Sequence, residues 1–463
     1  MNIQLSEHFT YRKLFRFTFP SVIMLIFISI YGVVDGIFVS NFVGKTSFAA
    51  VNLIMPVCML LGSAGFMIGS GGSALVARLM GEGEKKRANE IFSLLIYLSA
   101  ALGIVLTVFG IVLMRPIASA LGAEGQMLED CVVYGRGLLL GATAFILQNE
   151  FQSFLIASEK PQFGLFITIA AGVTNMVLDA LFVGLFRWGL VGAAAATVTS
   201  QVVGGIIPLV YFFTTKTSPL RLCRTKFDLR AVLKTCGNGA SEMMTNLSMS
   251  LVNILYNFQL MRFAGENGVA AYGVIMYVNF VFVSAFLGYS VGSAPIISFH
   301  FGAQNHGELR NLFRKSLLVV GTCAVVMTVT AMLLAGFLSG IFVGYDRELY
   351  ELTRRGLSLY SVAFLFMGVN IFGSSFFTAL NDGAVSAAIS FLRTLLFQVI
   401  AVLALPLVLE LDGIWLAIVA AEGAALGVTI LFFTRMRKKY HYGWNEGKGR
   451  DESRPVMKTP HGS

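Results

Sequence analysis

Apolar residues run along this chain in stretches of about 20 to 30, each closed by a short polar turn. Twelve such stretches can be marked, at 14–43, 48–77, 90–113, 132–157, 162–185 and 190–213, then 233–262, 269–298, 312–340, 356–380, 384–408 and 412–434. Each is long enough to cross a hydrocarbon layer about 30 Å thick. Backbone in hydrocarbon must satisfy its own hydrogen bonds, so every stretch predicts a helix. The first is too long for the apolar core of a signal peptide and lacks a small-residue cleavage site after it, so it is expected to be retained.

The longest basic connection, 214–232 with Lys216, Arg221, Arg224, Lys226 and Arg230, leaves six stretches on either side. An even number per half makes both halves start on the same side, so a repeat would be parallel. Sliding residues 27–92 by 221 positions gives 13 identities in 66, against roughly five from biased composition alone. They include Gly44/Gly265, Ala49/Ala270, Ala50/Ala271, Ile54/Ile275, Met55/Met276, Gly71/Gly292, Gly81/Gly302 and Phe92/Phe313. The expected fold is an all-α membrane protein, twelve transmembrane helices in two pseudo-symmetric six-helix bundles around a central cleft. Its parts are an N-terminal lobe (1–213), a cytoplasmic linker (214–232), a C-terminal lobe (233–434) and a basic, disordered cytoplasmic tail (435–463).

Composition agrees with the pattern. Of 463 residues 56% are hydrophobic and 13% charged, where soluble domains carry about a quarter charged. The 48 glycines suit closely packed membrane helices. A net charge of +9 would suggest nucleic acid as a partner until the cations are placed. With the N-terminus inside, 25 of the 34 Lys and Arg fall in cytoplasmic segments, which is the positive-inside bias. It puts both termini in the cytoplasm and removes the nucleic-acid reading. Cys58, Cys131, Cys223, Cys236 and Cys323 are scattered without metal-ligand spacing, so neither a disulfide nor a metal site is inferred.

A charge within a span costs about 2.5–3.5 kcal/mol on insertion scales, so each needs a reason. Asp35 interrupts the first span and Asp179 the fifth, with Asn175 four residues earlier on the same helical face. Asp35 lies 9 residues before the turn at Gly44, Asp179 9 before the turn at Trp188, and Thr197 9 after it. All three therefore sit about 13 Å from the same ends of their helices. Two carboxyls, an amide and a hydroxyl at one depth make an oxygen-rich cluster suited to a proton or a small hard cation. Nearby carboxylates in low dielectric bind a proton between them; for Asn175 or Thr197 alone a helix-packing hydrogen bond explains as much. Under the repeat Asp35 maps to Tyr256 and Asp179 falls near Ala401, so the cluster belongs to the first half. Pro20, inside the first helix, either marks a bend or is a tolerated membrane proline.

In the second half Glu242, Arg393 and Glu422 lie about 9, 10 and 11 residues from the cytoplasmic ends of their spans. An Arg–Glu pairing is allowed, with structural neutralisation or substrate contact as its role. Glu150 is similarly deep, with no partner nameable from sequence. Catalytic signatures fail: GSGGSALVA (69–77) lies within a span without a preceding strand or a lysine, and His300 and His306 read as solvated turn residues without a third ligand.

The chain resembles the MATE (multidrug and toxic compound extrusion) transporters over about residues 10–434. The resemblance is carried by VVDGIFVSNFVGKTSFAAVNLIMP, GSGGSALVARLMGEGEKKRA, TNMVLDALFV, WGLVGAAAATVTSQ and FGAQNHGELRNLFRKS. It implies a two-lobed antiporter of the small bacterial exporter branch, expelling amphipathic, often cationic compounds against inward proton or sodium flow. It places the cation site on Asp35, Asn175, Asp179 and Thr197, and the helix-bending proline on Pro20. The seventh-helix carboxylate of the sodium-coupled branch has no equivalent, because Glu242 falls too early. The expectation is a monomer in the bacterial cytoplasmic membrane, with small organic substrates, no cofactor beyond H⁺ or Na⁺, and no catalytic residues. The rivals are a flippase for lipid-linked precursors, which would want several cleft arginines, and an intramembrane enzyme.

Overall fold

The computed structural model describes residues 3–43, 45–215 and 217–443, and among them it contains no strand. Lobe one is built from α1 (Tyr11–Phe42), α2 (Lys45–Gly81), α3 (Lys85–Ala120), α4 (Gly125–Leu140), α5 (Ala142–Ala157), α6 (Pro161–Leu178) and α7 (Gly189–Thr214). Lobe two follows with α8 (Leu229–Gly302), α9 (His306–Val343), α10 (Arg347–Ser361), α11 (Phe364–Ala379), α12 (Gly383–Phe391), α13 (Phe397–Ala404) and α14 (Pro406–Tyr440). Two π-helical segments complete the chain, Asp179–Leu185 after α6 and Leu392–Leu396 between α12 and α13.

These helices resolve into twelve spans among the described residues. The 74-residue α8 is two of them. Gly265 reverses the chain with φ 58° and ψ −149°, a conformation only glycine adopts cheaply. The halves then run antiparallel, with the Tyr256 and Tyr272 rings stacked at 5.1 Å and the Tyr272 hydroxyl donating to Asn253 Oδ1 at 2.8 Å. Spans four and ten are bent pairs, α4–α5 by 55° and α10–α11 by 48°. Spans five and eleven each hold a π segment. The halves thus repeat in their irregularities as well as in their helices.

Spans four and ten start earlier than the hydropathy pattern predicts, at Gly125 and Arg347 rather than 132 and 356. Their opening turns are polar on one side, which hides them from an apolar window. The charges there are met: Arg115 pairs with Glu129 at 2.5 Å, Ser47 donates to Asp130 at 2.7 Å, and Arg355 pairs with Asp412.

The lobes meet along a seam of glycines. A Cβ on Gly81 would collide with the Phe299 carbonyl oxygen, and one on Gly302 with the Arg78 carbonyl oxygen. Since 78 and 81 map to 299 and 302 under the repeat, these two contacts are mates about a pseudo-twofold axis. Gly71 against Thr235 and Gly239 of α8, and Gly292 against Thr18 and Ser21 of α1, are a second such pair. All of them lie in the half of the molecule that carries the termini. In the opposite half lobe one has an apolar core of its own, including Ala50, Ile54, Met114, Tyr134, Val183 and Ala193, with no member from lobe two. The lobes are therefore joined at the face that carries the termini, and toward the other face lobe one packs on a core of its own.

An N-terminal segment seals the joined face. Leu5 N–H donates to Glu159 of lobe one at 2.8 Å. Phe9 N–H donates to Glu308 of lobe two at 2.8 Å, His8 Nδ1 meets the same carboxyl at 2.5 Å, and Lys315 donates to the Phe9 carbonyl at 2.7 Å. Phe9 is fully buried and its ring stands edge-on to His300, 6.4 Å away. His300 is accordingly a buried residue of α8 and not the solvated turn residue its neighbours suggested, because this segment covers it.

The predicted tail also needs correction. α14 continues to Tyr440, so 435–440 is helical where disorder was expected. The Tyr440 hydroxyl and Lys439 Nζ donate to Asp382 at 2.5 and 3.0 Å, and the Tyr442 hydroxyl donates to the Phe433 carbonyl at 3.0 Å. Burial alone would raise the Asp382 carboxyl, but the hydrogen bonds from Tyr440 and Lys439 outweigh it and hold the group below the usual carboxylate range. Residues 444–463 of the expected tail lie outside the described residues. The linker is not free either. Arg221 N–H donates to Asn89 Oδ1 at 2.7 Å and Cys223 N–H to Ser93 Oγ at 2.9 Å, laying it along α3.

Lobe two has a buried ion pair at its centre. Arg393, in the second π segment, donates from Nε to both Glu422 oxygens at 2.7 and 3.0 Å. Glu422 is 0% exposed and Arg393 12%. Asn370 donates to Glu422 Oε2 at 2.8 Å and accepts from Thr429 at 3.0 Å. A pair satisfied to this degree holds only while both partners stand.

Three expectations follow. Gly239→Val forces a side chain into the Met67 backbone and should destabilise the joined face by about 1–3 kcal/mol, the usual effect of overpacking; an unaltered Tm in detergent would contradict the seam. Arg393→Met should lose about 3–5 kcal/mol by stranding Glu422, and the Arg393→Met/Glu422→Gln double variant should recover most of it. The Asp382 anchor is fully engaged above the ordinary carboxylate range and lost as pH falls through its lowered value. Amide exchange in the last turn of α14 should therefore accelerate only on acidification, and Asp382→Asn should accelerate it at neutral pH.

Candidate functional site

The site is assembled by three helices of lobe one and flanked by a fourth. Asp35 sits on α1, seven residues before its end at Phe42. Asn175 closes the last turn of α6, and its carbonyl accepts the Asp179 N–H. The two side chains therefore stack on one face, as their spacing predicts. Asp179 then opens the π segment, whose wider turns re-aim the residues after it; such turns concentrate at functional positions.

The Asp35 and Asp179 carboxyl groups are close enough to act on each other electrostatically, and neither Asp179 oxygen has a hydrogen-bond partner. Asp179 is 0% exposed and Asn175 2%. Both Asp179 oxygens, Asp35 Oδ1 and Asn175 Oδ1 are buried with no protein donor on them. Buried polar atoms are nearly always paired, so four orphan oxygens together mark a place prepared for something that donates or coordinates.

Tyr134 of α4 completes this group, and sequence reasoning missed it. Its hydroxyl is buried without a partner and lies within electrostatic reach of both carboxyls and of Cys58. A span starting at 132 would put it at the membrane interface, where tyrosines are common. Counted from the true start of α4 at Gly125 it is nine residues deep, the depth of the aspartates.

Thr197 reaches the region from α7. Its hydroxyl is buried and unpartnered, and it lines a cavity of about 40 Å³ with Cys58 of α2 and with Gln201. That volume has room for a water. Gln201, whose Oε1 is also an orphan, is a second residue the sequence reading passed over.

Of the other expected site residues, Pro20 is buried within α1, which runs through it unbroken. It removes one rung of the backbone ladder, leaving the Arg16 carbonyl without its i+4 donor. Arg393 and Glu422 are brought together as described, and Glu242 of α8 lies within electrostatic reach of Arg393 but outside that hydrogen-bonded network. Among the described residues lobe two has no counterpart to the acidic pair. Tyr256, at the position equivalent to Asp35, is buried against Tyr272, and Ala401 near the equivalent of Asp179 is buried in α13.

Comparison with known proteins agrees with this architecture. The MatE family profile matches residues 20–181 and again 242–403, so one profile fits the chain twice, 222 residues apart. Multidrug export protein MepA of Staphylococcus aureus (strain MSSA476) is 24% identical over 369 residues, covering 78% of this chain and 81% of its own. The protein of the same name from Staphylococcus saprophyticus matches to the same extent. Among solved structures, an outward-facing conformation of a multidrug resistance MATE family transporter of the MOP superfamily superposes with a TM-score of 0.87 at 25% identity, covering 95% of this chain and 98% of that one. A MATE structure in the bent conformation gives a TM-score of 0.85 at 24% identity, covering 94% and 96%. An intramembrane enzyme is thereby set aside: the chain belongs to the MatE family of multi-pass membrane transporters.

Proposed function

We propose that this transporter is a cation-coupled antiporter that exports amphipathic, cationic organic compounds across the bacterial cytoplasmic membrane. One observation carries the reading: two neighbouring carboxyls in lobe one, with no hydrogen-bond partner on either Asp179 oxygen. Two ionised carboxylates are both acceptors, so only a shared proton, or a cation taking its place, can join them. Asn175 one turn before Asp179, Tyr134 within electrostatic reach of both carboxyls, and Thr197 on α7 offer further unpartnered neutral oxygens, ligand types that also suit Na⁺. The MepA relatives are named multidrug export proteins, which supports small organic substrates.

With both termini in the cytoplasm, the joined face is the inner one and this state is closed to the cytoplasm. An external cation then enters lobe one, joins α1 to the π segment through Asp35 and Asp179, and changes the packing of α1 about Pro20. Substrate held in the cleft loses affinity and leaves outward. Sealing the outer side and opening the glycine seam delivers the cation inward. Coupling needs the cation to prefer one state of the lobe, since a ligand bound equally by both shifts nothing. The whole cycle fits within one chain, so a monomer suffices. A flippase for lipid-linked precursors is less well supported, because the lobe-two arginine that it would use, Arg393, is already committed to Glu422.

Purified protein in proteoliposomes, loaded with a fluorescent organic cation, tests this under pH and sodium gradients imposed separately. Asp35→Asn and Asp179→Asn should each reduce gradient-driven efflux by about 5–150-fold, the range of ordinary coupling free energies. Wild-type efflux by the Asp35→Asn protein would remove the assignment.

A further inference from the structure

The most polar stretch inside lobe one belongs neither to the coupling pair nor to the cleft. It is the middle of α5, where Gln148, Asn149, Glu150, Gln152 and Ser153 are all buried. Gln148 lies against Gly204 of α7, Asn149 against Gly65 of α2, and Glu150 turns toward α3. Glu150 is 0% exposed, and neither carboxyl oxygen has a hydrogen-bond partner. The Ser99 hydroxyl faces it, itself fully buried and unpartnered, without closing a hydrogen bond on it.

The surroundings fix its charge state. α5 packs on α2, α3, α4, α6, α7 and α8. Among the described residues none of these brings a titratable or charged group beside Glu150; α3 brings Ser99 alone. Removing an ion from water costs several kcal/mol even after relaxation, and one hydroxyl does not offset that. In this state Glu150 therefore holds a proton. Packing gives no reason for an acid, because glutamine or methionine fills the same space with less desolvation.

Its position gives a reason. Glu150 is eight residues above Ser158, where α5 ends, so it lies about 12 Å from the face carrying the termini. The acidic pair lies about 13 Å from the other face. Between them stand Thr197 and Gln201, one turn apart on α7, then Gln148 of α5 beside Gly204. These groups occupy the α5–α7 contact at depths between the two acidic positions, while Glu150 itself turns to the other side of α5, toward Ser99 of α3.

We propose that Glu150 is a second proton-binding residue of the transport cycle, an inner station through which the proton taken up between Asp35 and Asp179 leaves by the face that carries the termini. This rests on the coupling reading above. When the joined face opens, water reaching Glu150 removes its proton, and the proton bound by the pair passes to the carboxylate so formed. The pair is then freed for substrate-bound return and Glu150 closes protonated, so each turnover moves one proton and nothing else.

Glu150→Gln keeps shape and removes titration. In proteoliposomes it should lower proton-driven efflux at least about tenfold, within the range of coupling effects, and flatten the pH dependence of the residual rate. Its infrared spectrum should lack one protonated-carboxyl C=O band that wild type shows. Efflux with the wild-type rate and pH profile, or no band lost, would overturn the proposal. If the amide variant fails to fold, Glu150→Asp takes its place: a proton station requires a displaced pH profile, and a packing residue leaves that profile where it was. Normal driven efflux by Asp35→Asn would defeat the coupling reading and this one together. An inactive Asp35→Asn beside a wild-type-like Glu150→Gln would defeat this one alone.

Discussion

Two carboxyl groups brought face to face where water is scarce are the constraint around which lobe one is arranged. Among the described residues neither Asp35 nor Asp179 has an arginine or lysine to neutralise it, in contrast with lobe two, where Arg393 meets Glu422 and Asn370 and Thr429 complete the set. The same chain therefore handles buried charge in two opposite ways. A fully satisfied network holds lobe two's helices in one arrangement. An unsatisfied one leaves lobe one dependent on what occupies it. The π segments stress the parallel, since one begins at Asp179 and the other contains Arg393.

Access to that constraint is decided elsewhere, by the seam and the N-terminal segment. Carbonyl oxygens of Arg78 and Phe299 sit where side chains would have to go, so the lobes touch backbone to backbone at the joined face. Residues 5–9 then tie Glu159 of one lobe to Glu308 of the other. Both contacts must part for the molecule to open on that side. Both lie far along α1 and α2 from Asp35, so whole helices separate the acidic pair from the closure.

Much of this was legible in the sequence wherever a residue broke the rule of its surroundings. Asp35 and Asp179 stand out because acids are expensive in apolar runs, and counting from the turns put them at one level. Arg393 and Glu422 were found in the same way. What stayed hidden obeyed local rules. Tyr134 and Gln201 are ordinary in membrane helices, and only the true start of α4 brings Tyr134 to the depth of the acids. The 55° and 48° bends come from helices whose charged first turns fall outside an apolar window. Burial of His300 and the helical extension to Tyr440 depend on contacts from residues hundreds of positions away or across a turn, which periodicity does not encode.

The seam also bears on how the two halves have diverged since duplication. Gly81 and Gly302 each fill the space left by the other half's backbone, so enlarging either would part both contacts about the pseudo-axis. Drift there is penalised twice over, and the surviving identities between the halves include Gly71/Gly292 and Gly81/Gly302. No such reciprocity binds Asp35 to Tyr256, which stand in different lobes and serve different neighbours. Two fused repeats are in this way free to specialise in their interiors while the surface on which they meet stays symmetrical.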